Sequence, residues 1–195
     1  MERPRHVRRR NGERKIGFTG PGVGEGVHPA GPALVVADAY DDGRPEAGAA
    51  LGRTEAVQAV VDWFGPIDFL KMDAQFAAAG ITPAMGKVAS DSSFESKYVG
   101  QLITKDEALT RRASPATYIP RMVPATAPRW FIQHGTADTN VPTQQSVEFA
   151  AALKAAIGDD KVTVELLTGA GHGGSQFETT ANLDKVFAFL DKALK

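Results

Sequence analysis

Residues 130–138 read Trp-Phe-Ile-Gln-His-Gly-Thr-Ala-Asp, an apolar run followed directly by a polar stretch that contains glycine. A short apolar run that ends at a turn signal is typical of a strand buried in a sheet. Apolar side chains then recur at helical spacing over residues 147–157, and residues 162–167 alternate apolar and polar side chains. The stretch therefore predicts a strand, a helix and a second strand in this order.

The same alternation extends in both directions. Residues 57–64, Val-Gln-Ala-Val-Val-Asp-Trp-Phe, form another compact apolar run, which Gly65 and Pro66 close. Apolar residues over 183–194 share one face of a predicted final helix, whereas residues 90–100 are polar and predicted to be irregular. This order predicts an α/β fold with a mostly parallel sheet flanked by helices.

The composition favours one globular domain with a small-molecule partner. The chain has 195 residues, 43% apolar content and a net charge of -1, so it can bury a core and carries no strong field for nucleic acid or a membrane surface. It has no cysteine, which excludes disulfides, thiolate metal sites and a cysteine nucleophile. We expect no cofactor.

The location is expected to be cytoplasmic by default. No apolar run approaches the ~20 residues of a membrane helix, and the N-terminus lacks the apolar stretch of a signal peptide. We therefore expect a soluble protein without a transmembrane segment.

Residues 1–52 differ in character from the rest of the chain. Seven arginine and lysine residues occur between Arg3 and Lys15, and glycine, proline and alanine dominate residues 17–52. The basic run could bind nucleic acid or acidic lipid, but a solvated, frayed terminus is the favoured interpretation. We predict an atypical, partly disordered segment over 1–52 and a folded portion over 53–195.

Two candidate functional residues follow predicted strands. Asp138 lies in the loop after the strand that begins at Trp130, and His172 lies in a glycine-rich loop after residues 162–167. Neighbouring parallel strands are about 4.8 Å apart, so these loops could bring the carboxylate to an imidazole nitrogen. Such a carboxylate fixes the histidine tautomer, and the other ring nitrogen can then accept a proton from a hydroxyl nucleophile.

Simpler roles remain open for each residue. Asp138 could cap the next helix or close an Asx-turn, and His172 could be a surface histidine. His134 is expected to shape the turn through hydrogen bonds. A metal site formed by His134, Asp138 and His172 is chemically conceivable but disfavoured, and we predict no metal.

Four segments carry a family resemblance: Val-Val-Asp-Trp-Phe-Gly-Pro-Ile-Asp-Phe (60–69), Ala-Ser-Pro-Ala-Thr-Tyr-Ile (113–119), His-Gly-Thr-Ala-Asp-Thr-Asn-Val-Pro (134–142) and Gly-Ala-Gly-His-Gly (169–173). In this order they resemble the C-terminal half of the α/β-hydrolase superfamily, in its lipase, esterase and dipeptidyl-peptidase-like branch. The resemblance covers residues 57–195 and implies a partial α/β-hydrolase fold. It also implies a carboxylic ester hydrolase with a small ester substrate, Asp138 as triad acid and His172 as triad base.

The nucleophile of this family has no visible counterpart. No Gly-x-Ser-x-Gly turn occurs, and no serine lies between Met1 and Ala89. Gly24-Glu25-Gly26 stands near the expected position, which would place Gly26 where the serine belongs. The serines that we weighed individually lack a strained turn, and none is nominated: Ser90, Ser92, Ser93, Ser96, Ser114 and Ser175. The nucleophile is therefore unknown.

Two further expectations follow because the chain resembles only the C-terminal half of the family. The chain could be a non-catalytic α/β-hydrolase-like domain, or a truncated or frame-shifted pseudoenzyme with a ligand pocket, since residues 1–52 suit a GC-rich gene read out of frame. A partial sheet also leaves an open edge of unpaired backbone groups, which favours homo-oligomers.

Overall fold

Five strands form one sheet in the computed structural model, which describes residues 16–19, 33–37 and 57–194. The strands lie side by side in chain order. They are β1 (Ile16–Thr19), β2 (Ala33–Ala37), β3 (Ala59–Trp63), β4 (Arg129–Gly135) and β5 (Val162–Leu167).

Helices connect and cover the last three strands. The α-helices are α1 (Met72–Ala79), α2 (Phe94–Val99), α3 (Glu107–Ala113), α4 (Gln144–Ile157), α5 (Ser175–Glu178) and α6 (Thr180–Ala193). Short 3-10 helices span Phe69–Lys71, Pro115–Arg121 and Asp159–Lys161. Helix α2 corrects the prediction that residues 90–100 are irregular: the Ser93 side chain accepts a hydrogen bond from the Ser96 N–H and caps this helix.

The predicted parallel arrangement is confirmed for β3, β4 and β5. Val61 lies opposite Phe131, and Ile132 lies opposite Val164. The two N-terminal strands add an antiparallel part that the sequence did not predict, with Ala33 opposite Trp63 in the β2–β3 pair. Strand β2 therefore runs opposite to β3, and its carboxyl end lies beside the amino end of β3.

Strand β4 separates two apolar layers because successive side chains point to opposite faces. Ile132 packs with Phe149 and Leu153 of α4, whereas Phe131 packs with Val186 of α6. Helices therefore lie on both faces, as the alternating pattern predicts. A further cluster beyond the carboxyl ends of the strands joins α1 to the loop that follows β4.

Several expectations about the ends and edges of the molecule remain predictions. Apart from β1 and β2, residues 1–52 lie outside the described residues. The expected partial disorder, the boundary at residue 52 and the placement of Gly26 concern this part of the chain and stay predictions. Within the described part, β5 pairs only with β4, and nothing in the structure tests self-association there. None of the described helices is long and apolar enough to cross a membrane.

Asp62 is a carboxylate buried inside the sheet. One oxygen accepts a hydrogen bond from the Gly65 N–H at 3.1 Å, and the other oxygen has no partner within the described residues. Burial raises the pKa of Asp62 from 3.8 to about 6, although the Gly65 hydrogen bond and the nearby His134 lower it. Gly65 is needed here because a Cβ atom would lie 2.6 Å from the bonded oxygen.

We predict that Asp62 makes the fold less stable as the pH rises. An acid whose pKa is higher in the folded state favours folding when protonated, and this contribution is lost as the pH rises from about 4 to about 6. The free energy of unfolding of Asp62→Asn, relative to that of wild type, should therefore rise by about 2 kcal/mol between about pH 4 and pH 7. Urea unfolding across this range measures the difference.

The exposed Asp184 on α6 provides a matched control. Asp184→Asn should follow the wild-type pH dependence. A constant difference between Asp62→Asn and wild type across the range would show that Asp62 ionises normally.

Candidate active site

Asp138 lies in the turn that follows β4, and its carboxylate is fully buried. Its Oδ1 atom accepts hydrogen bonds from the Asn140 N–H at 2.7 Å and the Val141 N–H at 3.0 Å. This is the Asx-turn that the simpler interpretation predicted. The turn leaves the second carboxylate oxygen, Oδ2, free to bind another group.

His172 binds that second oxygen. Its Nδ1 atom lies 2.8 Å from Asp138 Oδ2, so an Nδ1–H group donates to the carboxylate. Glycines surround it in the loop after β5, and Gly173 adopts a φ of 83° that L-residues rarely accept. The ring packs against Phe64, with 4.5 Å between ring centroids. The structure thus brings both predicted site residues together.

The two loops meet because Gly135 has no side chain. A Cβ atom on Gly135 would lie 2.2 Å from the Ala170 carbonyl oxygen and 2.4 Å from that of Gly171. The Ala137 N–H donates to the Ala170 carbonyl at 2.9 Å, and the Gly169 N–H donates to the Thr136 hydroxyl at 2.8 Å. The glycine after His134 therefore sets the distance between the acid and the base.

The Asp138 carboxylate is ionised at neutral pH. Burial alone raises its pKa, but hydrogen bonds from His134, His172 and the Val141 N–H outweigh burial and hold the pKa well below its usual range. An ionised Asp138 fixes the Nδ1–H tautomer of His172 and stabilises the imidazolium form. The pair can therefore act as a general base through Nε2.

The outer nitrogen of His172, Nε2, has no hydrogen-bond partner within residues 57–194. Where a serine hydroxyl in this part of the chain forms a hydrogen bond, its partner is a group other than His172. Ser114 Oγ, for example, donates to the Thr110 carbonyl oxygen. No serine bonds His172 in this part of the chain, so the structure assigns no nucleophile.

A second carboxylate lies near His172. Glu95 on α2 is partly buried, and burial raises its pKa. Its own backbone N–H and the attraction of His172 lower the pKa, whereas repulsion from Asp73 raises it. Glu95 therefore adds negative potential at His172, and no sequence motif marks this residue.

Sequence reasoning also missed two contacts at the site, that of Phe64 with His172 and that of Ser146 with His134. Phe64 has a φ of 48°, which is uncommon for a residue other than glycine. Ser146, on the first turn of α4, lies 2.7 Å from His134 Nδ1. No local motif marks either residue, because both reach the site through the tertiary fold.

His134 has the hydrogen-bonding role that was expected of it. Its Nε2 atom lies 3.0 Å from the Val141 carbonyl oxygen and spans the turn. His134 and His172 also direct hydrogen bonds to Asp138. Within the described residues, no group of three or more histidine and carboxylate side chains is arranged to hold a metal ion.

Comparison with known proteins identifies the family. The BD-FAE family model matches residues 39–153, which is more than half of the chain and includes Asp138. The chain belongs to the BD-FAE family. His172 lies beyond the matched range, so its assignment depends on the geometry and on the resemblance of its loop. Among curated proteins, no sequence matches the chain.

Solved structures are similar to this BD-FAE chain over about three quarters of its length. A truncated form of a carbohydrate esterase from gut microbiota is 29% identical with a TM-score of 0.57, covering 74% of this chain and 46% of that one. A bifunctional GH43-CE protein of Bacteroides eggerthii is 27% identical with a TM-score of 0.54, covering 71% of this chain and 17% of that one.

A third structure supports the fold alone. The acylaminoacyl peptidase of Pyrococcus horikoshii is 18% identical with a TM-score of 0.50, covering 75% of this chain and 22% of that one. The chain thus spans less than half the length of these three proteins. Together with the family match, they show an α/β-hydrolase superfamily member that resembles esterases.

We predict that Gly135→Ala separates the two loops of this BD-FAE chain. The added methyl group must displace the backbone at Ala170, and overpacking of this kind costs about 1–3 kcal/mol. Differential scanning calorimetry should show a lower Tm, and the NMR signals of His172 should lose the signature of its bond to Asp138.

Gly171→Ala is the matched control in the same region. Gly171 has no atom within 4 Å of the Cβ position, so this variant should leave the Tm and the His172 signals close to wild type. Equal effects of the two substitutions would contradict a role for the close approach at Gly135.

Proposed function

We propose that this chain is an ester-hydrolase domain in which His172 is the general base and Asp138 is its orienting acid. The observation that carries the proposal is the 2.8 Å hydrogen bond between His172 Nδ1 and the buried Asp138 Oδ2. The Nε2 nitrogen has no hydrogen-bond partner within residues 57–194, which supports the proposal because a base needs one ring nitrogen free for the nucleophile.

The proposed reaction is acyl transfer from a small ester. His172 Nε2 accepts the proton of a hydroxyl nucleophile as the oxygen attacks the ester carbonyl carbon, and Asp138 stabilises the imidazolium. The imidazolium then gives this proton to the leaving alkoxide, which departs as the alcohol. Water then gives a proton to the same base and attacks the acyl group on the nucleophile oxygen, which releases the carboxylic acid and restores the nucleophile.

The relatives support one class of alcohol. One of the similar structures is described as a truncated form of a carbohydrate esterase, and another is described as a bifunctional GH43-CE protein. We therefore propose that the alcohol of the ester belongs to a saccharide. The proposal includes no cofactor, nucleic acid or membrane.

The test is turnover of p-nitrophenyl acetate and p-nitrophenyl butyrate by the full chain. If the pair is the base, His172→Ala and Asp138→Asn should each lower kcat/KM by at least about a hundredfold, since general-base catalysis contributes about 10²–10⁴-fold. Circular dichroism and Tm must show that both variants fold.

The matched control uses an exposed aspartate on α6. Asp184→Asn should retain the wild-type rate. Equal rates in wild type, His172→Ala and Asp138→Asn would rule out catalysis by this pair.

A second candidate function is a non-catalytic domain that retains a ligand pocket. The favouring observation is the direction of β2. A nucleophile turn joins the carboxyl end of a strand to a helix, but Ala37 at the end of β2 lies opposite Ala59, the first residue of β3. Thr19 is the last residue of β1, which runs in the same direction as β3, so it lies at the carboxyl ends of the parallel strands. Strand β2 nevertheless separates β1 from β3.

A fluorophosphonate probe separates the two candidates. It forms a stable adduct with an activated serine hydroxyl, and mass spectrometry of the digested chain locates the adduct. An adduct that disappears in His172→Ala supports acyl transfer through that serine. No adduct, together with no turnover, supports the non-catalytic domain.

A further inference from the structure

A second histidine contacts the same carboxylate oxygen as His172. His134 Nε2 lies 3.2 Å from Asp138 Oδ2 and 3.0 Å from the Val141 carbonyl oxygen. The His134 and Asp138 side chains are both fully buried. Because both neighbours of Nε2 are acceptors, this nitrogen must carry a proton.

The other nitrogen of His134 fixes this tautomer. Nδ1 lies 2.7 Å from the hydroxyl oxygen of Ser146, which is buried on the first turn of α4. In a neutral ring that is protonated at Nε2, Nδ1 is an acceptor. The Ser146 hydroxyl therefore donates to Nδ1 and favours a ring that carries its proton on Nε2, beside the Val141 carbonyl oxygen and Asp138 Oδ2.

We propose that His134 is a positioning residue. Its Nε2–H holds Asp138 Oδ2 in place, so that His134 and His172 share the negative charge of the Asp138 carboxylate. The inference rests on the proposed function, in which His172 is the base. Asp138 Oδ1 accepts hydrogen bonds from two backbone N–H groups, and Oδ2 accepts one from His172 and lies 3.2 Å from His134 Nε2.

The shared oxygen limits how strongly Asp138 stabilises the imidazolium of His172. If the His134 donor is removed, the charge on Oδ2 is balanced by His172 alone, and the protonated form of His172 gains stability. A smaller fraction of His172 is then available as a neutral base. The other nearby carboxylates are Asp62, which interacts with His134, and Glu95, which interacts with His172.

The test is an NMR titration of His172 in the full chain, which has four histidines. The signal that disappears in His172→Ala identifies His172. We expect His134→Leu to raise its pKa by about one unit, a tenfold change in the protonation constant. His134→Gln keeps an N–H donor in place of Nε2–H and should stay near the wild-type value.

Ser146→Ala tests the same inference without removing the ring. Loss of the donor to Nδ1 permits the other tautomer, so the pKa of His172 should shift in the same direction by a smaller amount. Ser114→Ala is the matched control, because Ser114 is also buried and its hydroxyl donates to a carbonyl in α3. It should leave the His172 titration unchanged.

The inference is overturned if a folded His134→Leu protein titrates like wild type, or if His134→Gln shifts His172 as far as His134→Leu. If His134→Leu fails to fold, an unchanged His172 titration in Ser146→Ala overturns it. The titration needs no turnover, so it can support the positioning role even where ester hydrolysis is absent, and an absent activity then counts against the proposed function alone.

Discussion

The buried carboxylate of Asp138 organises this end of the molecule. Oδ1 closes the turn after β4, and Oδ2 receives N–H groups from His134 and His172. A buried charge is tolerated only where hydrogen bonds replace water. The turn after β4 and the glycine-rich loop after β5 both bond this ionised group, and the helix that begins at Gln144 reaches it through Ser146 and His134.

Backbone geometry makes that arrangement possible. Parallel pairing of β4 with β5 places the loops that carry Asp138 and His172 side by side. The missing side chain at Gly135 then lets the second loop approach. The same parallel core presents apolar side chains to helices on both faces, so the packing that stabilises the fold also fixes the distance between acid and base.

The antiparallel direction of β2 bears most on function. An α/β-hydrolase presents its nucleophile at the carboxyl ends of parallel strands, and in this chain β2 ends at the opposite edge. The family match begins at residue 39, just after β2 ends. The family match and both residues of the hydrogen-bonded pair, Asp138 and His172, therefore belong to the part of the chain that follows this strand.

By itself, the sequence determined the parallel strands and most of the helices between them, and it marked Asp138 and His172 as candidate site residues, because apolar periodicity and the His-Gly and Gly-His segments are local signals. Only the tertiary structure decided that Ser146 bonds His134, that Phe64 packs on His172 and that the charge of Glu95 acts on His172. It also decided the direction of β2. These contacts join residues far apart in the chain, and no pattern in neighbouring residues encodes which distant groups will meet.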